Sequence, residues 1–542
     1  MNDFTNSTDL LETLFDELSD SVEAHFGNNI DQLSIADTIK RASSIQGVVY
    51  PLNVEVIKDI VKIANTHNLV LHPVSTGKNW GYGCAVPPTV CDGRISIIVN
   101  LSKLNEIIYF DAELGLIELQ PGVTQGQLYK FLQDRNADFL VPVTGAGPDC
   151  SILGNALEKG YGITPISDHF QSIISINAVL PNGEEYKSPM SEILEEKGYR
   201  ATYKWGIGPY SDGLFCQSNY GIVTSATITL ARRTPEVMSF YFWLPESESL
   251  ESIVNSVRNI LSIPSLGVGG INIINSTRTI TMNSTLASLR NNRNTNPLDP
   301  NEIEKYASVH NIKSWFGFGA IYGTKDSVKS AKKFIKKQLS PNTVKILFIN
   351  KAKLSFLQSA VSYLPKVCSE NVTTLLEKMG KGLSMMAGKP DEVALPLAYW
   401  RARNPPPDEN LNPARDKCGL LWYAPIVSMS GKDCDRYVKM VTDICNVYGF
   451  DAPITLTSIS PFAFDSTLPI LFSASSTTES EQAIACYKAL YEAGLRNGFV
   501  PYRIGSGQVQ LFNERQLSAH KLTRNIKSSI DPNHIISPGR YV

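Results

Sequence analysis

The residues best suited to chemistry fall in three short stretches and one Tyr-Arg pair. The first stretch is Pro73-Val74-Ser75-Thr76-Gly77-Lys78-Asn79-Trp80-Gly81-Tyr82-Gly83. It follows a β-type run, Leu69 to Val74, and a glycine-rich turn after a strand can present several backbone N–H groups to one anion. Glycine permits the positive φ that such a concave turn needs, and Ser75, Thr76 and Asn79 add side-chain donors. A pyrophosphate is the natural guest. The spacing is neither a phosphate loop ending in Gly-Lys-Ser/Thr nor the G-x-G-x-x-G of a dinucleotide fold, and alone it suits a plain turn equally well. The second stretch, Gly154-Asn155-Ala156-Leu157-Glu158-Lys159-Gly160-Tyr161-Gly162, precedes Thr164-Pro165-Ile166-Ser167-Asp168-His169. The third is Asn219-Tyr220-Gly221-Ile222-Val223-Thr224, and the pair is Tyr502-Arg503.

Alternating helix and strand signals over the first 230 or so residues must position these groups. Apolar spacing predicts a helix over Val54 to Asn65 and another over Gln125 to Gln133. Strands are predicted at Ser96 to Leu101, Gly115 to Leu119, Ile173 to Val179 and Gly221 to Leu230. From about Thr234 the pattern restarts, with strands at Phe240 to Leu244, Gly267 to Ile274 and Gly419 to Val427. Helices are expected over Ser247 to Leu261, Asp433 to Tyr448 and Glu479 to Gly498, and a helical segment ends at Ile530. Asn291 to Asn301 is polar and reads as a loop, and three prolines stiffen Asn404 to Pro407. Met1 to Phe26 is acidic with helical apolar spacing, and reads as an amphipathic surface helix. The mixture is that of an α+β protein.

Fifty Lys and Arg against 52 Asp and Glu leave a net charge of −2, without the positive excess of a nucleic-acid binder. No apolar run approaches a membrane span, and the first residues lack the basic start and unbroken apolar stretch of an export signal. A cytoplasmic protein is expected. The nine cysteines include no C-x-x-C and do not cluster with the seven histidines, so reduced thiols are expected and no metal site.

Taken together, the three stretches resemble the FAD-binding domain of the vanillyl-alcohol oxidase and p-cresol methylhydroxylase family. The resemblance runs on through Tyr399-Trp400-Arg401, Asp416-Lys417-Cys418-Gly419, Leu421-Trp422-Tyr423-Ala424-Pro425, Tyr502-Arg503 and Asp531-Pro532-Asn533-His534-Ile535-Ile536-Ser537-Pro538-Gly539-Arg540. It covers roughly residues 45 to 542 and is nearest the 4-cresol dehydrogenase flavoprotein branch. It implies a two-domain α+β flavoprotein: an N-terminal helical segment over 1–44, an FAD-binding domain over 45–232, a cap or substrate-binding domain over 233–499, and a segment over 500–542 that returns to the FAD domain. The first loop, Pro73 to Tyr82, would clasp the FAD pyrophosphate. Ser151, Gly154, Asn155, Gly160, Gly162, Asp168, His169, Gly221, Ile222 and Val223 would wrap the rest of the cofactor, and Arg540 would face the flavin.

The implied reaction removes a hydride from the benzylic carbon of a 4-substituted phenol, or of a larger phenolic metabolite, through a quinone methide. A phenol ionises near pH 10, so a neutral-pH site must stabilise its oxyanion with fixed donors. Tyr82, Tyr502 and Arg503 match that trio, Asp149 is a candidate acid or base near the benzylic carbon, and Arg401 a candidate at the substrate or flavin. Covalent attachment of FAD through Tyr423 is left open beside non-covalent binding. The resemblance further implies a homo-oligomer, and a cytochrome or other electron acceptor if the enzyme works as a dehydrogenase. Two other readings keep the fold: oxidation of a hydroxy acid or alcohol, against which Tyr82 with Tyr502-Arg503 argues, and a catalytically inactive flavin-fold interaction protein.

Overall fold

β-Branched runs separated by glycine turns build the first sheet, in which Val22–Phe26, Ile45–Pro51, Ser96–Asn100 and Val70–Val74 lie side by side in that order. The first pair is antiparallel and the other two are parallel. The computed structural model describes residues 2–39, 45–83, 86, 93–245, 250–290, 296–361, 366–402 and 404–541. The helix Val56–His67 buries Val56, Ile57, Ile60, Val61 and Ala64, the face its spacing predicts, and stops where Asn68 turns left-handed with φ 53°. A second, antiparallel sheet orders Ile107–Asp111, Leu116–Leu119, Ile222–Thr229, Ile173–Val179 and Glu185–Lys187.

The third sheet is antiparallel and runs Lys345–Ile349, Glu236–Trp243, Trp315–Gly323, Val268–Asn275, Thr455–Ser460, Ala463–Ser466, Cys418–Ser428 and Leu468–Ser473. The short strand Pro501–Arg503 joins it against Cys418–Ser428, with Ala424 opposite Arg503. Helices Leu250–Leu261, Lys325–Leu339, Gly431–Val447 and Thr477–Asn497 contribute to the largest core, around Phe240, Phe242, Tyr437 and Phe464. This is the α+β architecture expected. No helix among the described residues is long and apolar enough to cross a membrane.

Two expectations are corrected. The first helix covers only Asn2–Asp16, and Val22–Phe26 is a strand. Val22 and Phe26 are four apart, a spacing that suits one strand face as well as one helix face. Leu11 and Phe15 of the helix are buried against that sheet rather than lying on a surface. The loop expected over Asn291 to Asn301 falls partly outside the described residues, at 291–295. Its far end starts the helix Pro300–Val309, where Asp299 and Glu302 form a reciprocal capping box that polarity alone concealed.

The segment after Arg503 comes back to the first sheet and to the turn carrying Tyr82. Ser506 N donates to the Tyr82 carbonyl at 2.8 Å, and Leu71 N donates to the Ile535 carbonyl at 2.7 Å. A buried cation fixes this return. Lys527 Nζ donates to Asp531 Oδ2 and the Asn219 carbonyl, both at 2.5 Å, and to the Ile536 carbonyl at 3.0 Å. Asp531 also accepts from the N–H groups of Ile535 and Ile536. Asp531→Ala would strand a buried ammonium, so the variant should lose about 3–5 kcal/mol in urea unfolding; a loss under ~1 kcal/mol would show that the pair does not anchor the segment.

Candidate active site

The strand Val70–Val74 delivers its C-terminal end to a cleft. Pro73, Val74, Ser75, Thr76, Gly77, Lys78 and Asn79 line one wall; Ser151, Gly154, Asn155 and Glu158 line another. Gln217, Asn219, Gly221 and Val223, with Arg503, Ser537 and Arg540, complete it. Gly77 turns the loop with φ 66°. Ser151 caps the helix Ile152–Leu157 by accepting from Gly154 N at 2.9 Å. Gly154 lets this helix touch the loop, because a Cβ there would sit 2.2 Å from Ser75 Oγ.

Other predicted residues act through neighbours. His169 is buried, and burial pulls its imidazole down to about 4, so it is neutral. Its Nδ1 lies 2.7 Å from Asn155 Nδ2 and orients that amide into the cleft. Gly160 and Gly162 leave room for the Asn155 and His169 side chains, which a Cβ would strike at 2.1 and 2.5 Å. Asp168 instead caps its own turn through Gln171 N at 3.1 Å. Ile222 is wholly buried in the core. Gly81, at φ 85°, packs against Trp422, with Cδ1 2.3 Å from where a Cβ would be.

Tyr82, Tyr502 and Arg503 come together. The Arg503 guanidinium stacks 3.9 Å above the Tyr82 ring centroid, beside the Asn79 amide, whose Nδ2 donates to Asn155 Oδ1 at 3.0 Å. Tyr161 meets Tyr502 edge-to-face at 5.5 Å. Asp465, on the strand Ala463–Ser466, was not singled out by sequence. It hydrogen-bonds Tyr502, and burial raises its carboxyl to about 7 although Tyr502 and Arg503 pull the other way. Burial, followed by the Asp465 charge, pushes the Tyr502 hydroxyl well above 10, so it stays a neutral donor. Glu158 was also missed. It pairs with Arg540, accepts from the Tyr541 hydroxyl at 2.8 Å and lies 4.0 Å from Arg503 Nε. Burial would raise its carboxyl, but the guanidiniums of Arg540 and Arg503 outweigh that and hold it below the usual range.

Three expectations are corrected. Asp149 lines a second pocket with Lys78, Trp80, Glu392 and Arg415, to which Tyr82, Tyr502 and Arg503 do not contribute. Arg401 is buried 3.8 Å from both Asp451 and Glu479, with its Nη2 donating to the Gly449 carbonyl, which is a structural role. Tyr423 points away from the cleft: its hydroxyl donates to the Phe499 carbonyl at 3.0 Å and its ring packs on Tyr487. Strand alternation turns its neighbour Trp422 toward Gly81 instead, so a tyrosyl flavin link at Tyr423 is withdrawn.

The cleft fits FAD. Among the described residues no acceptor takes up the backbone N–H groups of Thr76, Gly77 and Lys78, as a pyrophosphate cradle requires. The buried Asn219 Oδ1 likewise lacks a partner. The Thr76 to Asn79 turn would hold the pyrophosphate, Asn155 and Asn219 would meet the polar edges, and Arg503 and Arg540 would face negative charge.

Comparisons with known proteins agree. A family model described as an FAD binding domain matches residues 45–188. The chain is 30 % identical over 524 residues to the 1'-carboxy-chondrochloren decarboxylase of Chondromyces crocatus, covering 96 % of this chain and 94 % of that one. It is 26 % identical over 508 residues to the 4-cresol dehydrogenase (hydroxylating) flavoprotein subunit of Pseudomonas putida, covering 92 % and 88 %. The crystal structure of p-cresol methylhydroxylase with substrate bound superimposes with a TM-score of 0.83 at 23 % identity, over 100 % of this chain and 97 % of that one. The contact at Gly154 gives a direct test of the cleft. Gly154→Ala should purify with its flavin absorbance largely lost, and adding Ser75→Gly should restore part of it; full flavin content in the single variant would contradict this geometry.

Proposed function

The chain belongs to the p-cresol methylhydroxylase-type family of FAD-dependent oxidoreductases, and from that premise we propose that its substrate is a 4-substituted phenol oxidised at the benzylic carbon. The observation that carries this reading is the convergence of Tyr82, Tyr502 and Arg503 with the buried Asp465. FAD, when bound, supplies the two-electron acceptor for the departing hydride.

This chain's residues prepare the substrate. Holding a phenol as phenolate at pH 7 requires about 4 kcal/mol, since it ionises near 10 and each unit is worth about 1.4 kcal/mol. Hydrogen bonds to a charged group contribute about 1.5–3 kcal/mol each, so two tyrosine hydroxyls and one guanidinium suffice. The phenolic proton passes to the Tyr502 oxygen as Tyr502 gives its own to an Asp465 carboxylate oxygen. A carboxyl poised near 7 is suited to that exchange. The quinone methide left after hydride loss then takes up water or rearranges. A second reading ends the same oxidation with loss of the substrate's carboxyl as CO2, and the relative from Chondromyces crocatus, named for a decarboxylation, favours it.

The test is the visible spectrum of the purified flavoprotein, without oxygen, before and after a 4-alkylphenol. Bleaching of the flavin bands is expected, and bands unchanged by simple and larger phenols alike would overturn the reading. Tyr502→Phe and Arg503→Lys should each slow bleaching by about 100-fold.

Asp465 predicts a pH dependence. In rapid mixing, bleaching should accelerate as pH rises through about 7, where the carboxyl ionises, and Asp465→Asn should lose that limb. The same group affects stability. Its native pKa lies above the unfolded value near 4, so the folded state binds the proton more tightly. Its contribution is therefore full below about pH 4 and is lost as pH rises through about 7.

A further inference from the structure

Arg278 sits on the helix Ser276–Asn283, which follows the strand Val268–Asn275 of the third sheet. Only 8 % of its surface is exposed, and among the described residues its Nε and Nη1 meet no acceptor. Burial pulls it down to about 9, and no carboxylate among the described residues opposes that. The other buried arginines near the cleft and cap differ: Arg401 has Asp451 and Glu479, and Arg503 has Glu158. A buried, unpaired guanidinium is costly, and an unsatisfied group of this kind calls for a partner that the described residues do not provide.

Its location shows where that partner arrives. The guanidinium lies 5.5 Å from the centroid of the Trp422 ring. The same indole donates Nε1 to the Trp80 carbonyl at 2.8 Å, and its edge fills the space beside Gly81. Tyr82 is the next residue, so Arg278 and the turn carrying Tyr82 touch one ring. Arg278 does not line the FAD cleft. A planar five-donor fork matches a carboxylate bidentately.

We infer that Arg278 binds a carboxylate on the substrate's side chain, so that the substrate is a 4-substituted phenol bearing an acid group remote from its hydroxyl. This rests on the phenol reading above. Arg503 and the two tyrosines take the phenolic oxygen, and Arg278 takes the acid, which supplies the counter-charge missing among the described residues.

The test uses the FAD-loaded enzyme and matched probes: 4-hydroxyphenylacetate, 3-(4-hydroxyphenyl)propanoate and 4-(4-hydroxyphenyl)butanoate, each against the neutral 4-alkylphenol of equal size. Binding is read from the flavin spectrum. At least one acid should bind about tenfold or more tighter than its neutral match. Arg278→Met should weaken that acid by about 100-fold, leave the neutral phenol within about threefold, and keep its FAD. Without ligand, Arg278→Met should melt at a higher temperature than the wild type, because a buried unpaired charge is gone; a structural arginine would give the opposite shift. Arg278→Lys should retain part of the acid preference. Acid and neutral probes that bind equally well, or an acid preference unchanged in Arg278→Met, would overturn this inference alone. Failure of every phenol to perturb the flavin would overturn the phenol reading and this inference together.

Discussion

Glu158 is the residue on which the site depends. One carboxylate, on the turn that ends the helix Ile152–Leu157, gathers Arg540 and Tyr541 from the returning segment and lies within 4.0 Å of Arg503 from the cap-sheet edge. Without an anion there, two guanidiniums would face each other across the cleft. With it, both are held in place before any ligand arrives. Preorganised charge of this kind carries no reorganisation cost when negative charge develops.

The strand Cys418–Ser428 couples the two halves. Its alternation sends Trp422 toward Gly81 and Tyr423 toward the helix Thr477–Asn497. The same strand pairs with Pro501–Arg503, so the register that sets Ala424 opposite Arg503 also sets where the guanidinium emerges over Tyr82. Packing in the cap and chemistry at the cleft are thereby tied to one ladder.

What the sequence made legible was local. The strand Ile173–Val179 and the helical face from Val56 to Ala64 follow from periodicity, and the turn at Gly77 follows from residue type. The tyrosine and arginine trio was legible only through the motifs around it. Asp465 and Glu158 were not: Asp465 lies in a stretch without a motif and gains its meaning from Tyr502 and Arg503 on another strand, while Glu158, inside the second glycine-rich stretch, gains its meaning from Arg540, 382 residues away. Asp149 and Arg401 mislead for the converse reason: their motifs sit near the right elements, but the loop and cap aim them at other pockets and partners. Tyr423 shows how one residue of strand offset exchanges cleft for core.

The returning segment has a consequence for how the protein is made. The contact between the Ser537 hydroxyl and the Leu71 carbonyl spans 466 residues, and that between Arg540 and Glu158 spans 382. At about 5–20 residues per second of synthesis, the turn from Pro73 to Asn79 therefore waits tens of seconds on the ribosome before the last wall of its cleft exists. The first half of the chain spends that interval with the cleft open on one side, so a cofactor can be fully enclosed there only once the last residues are made.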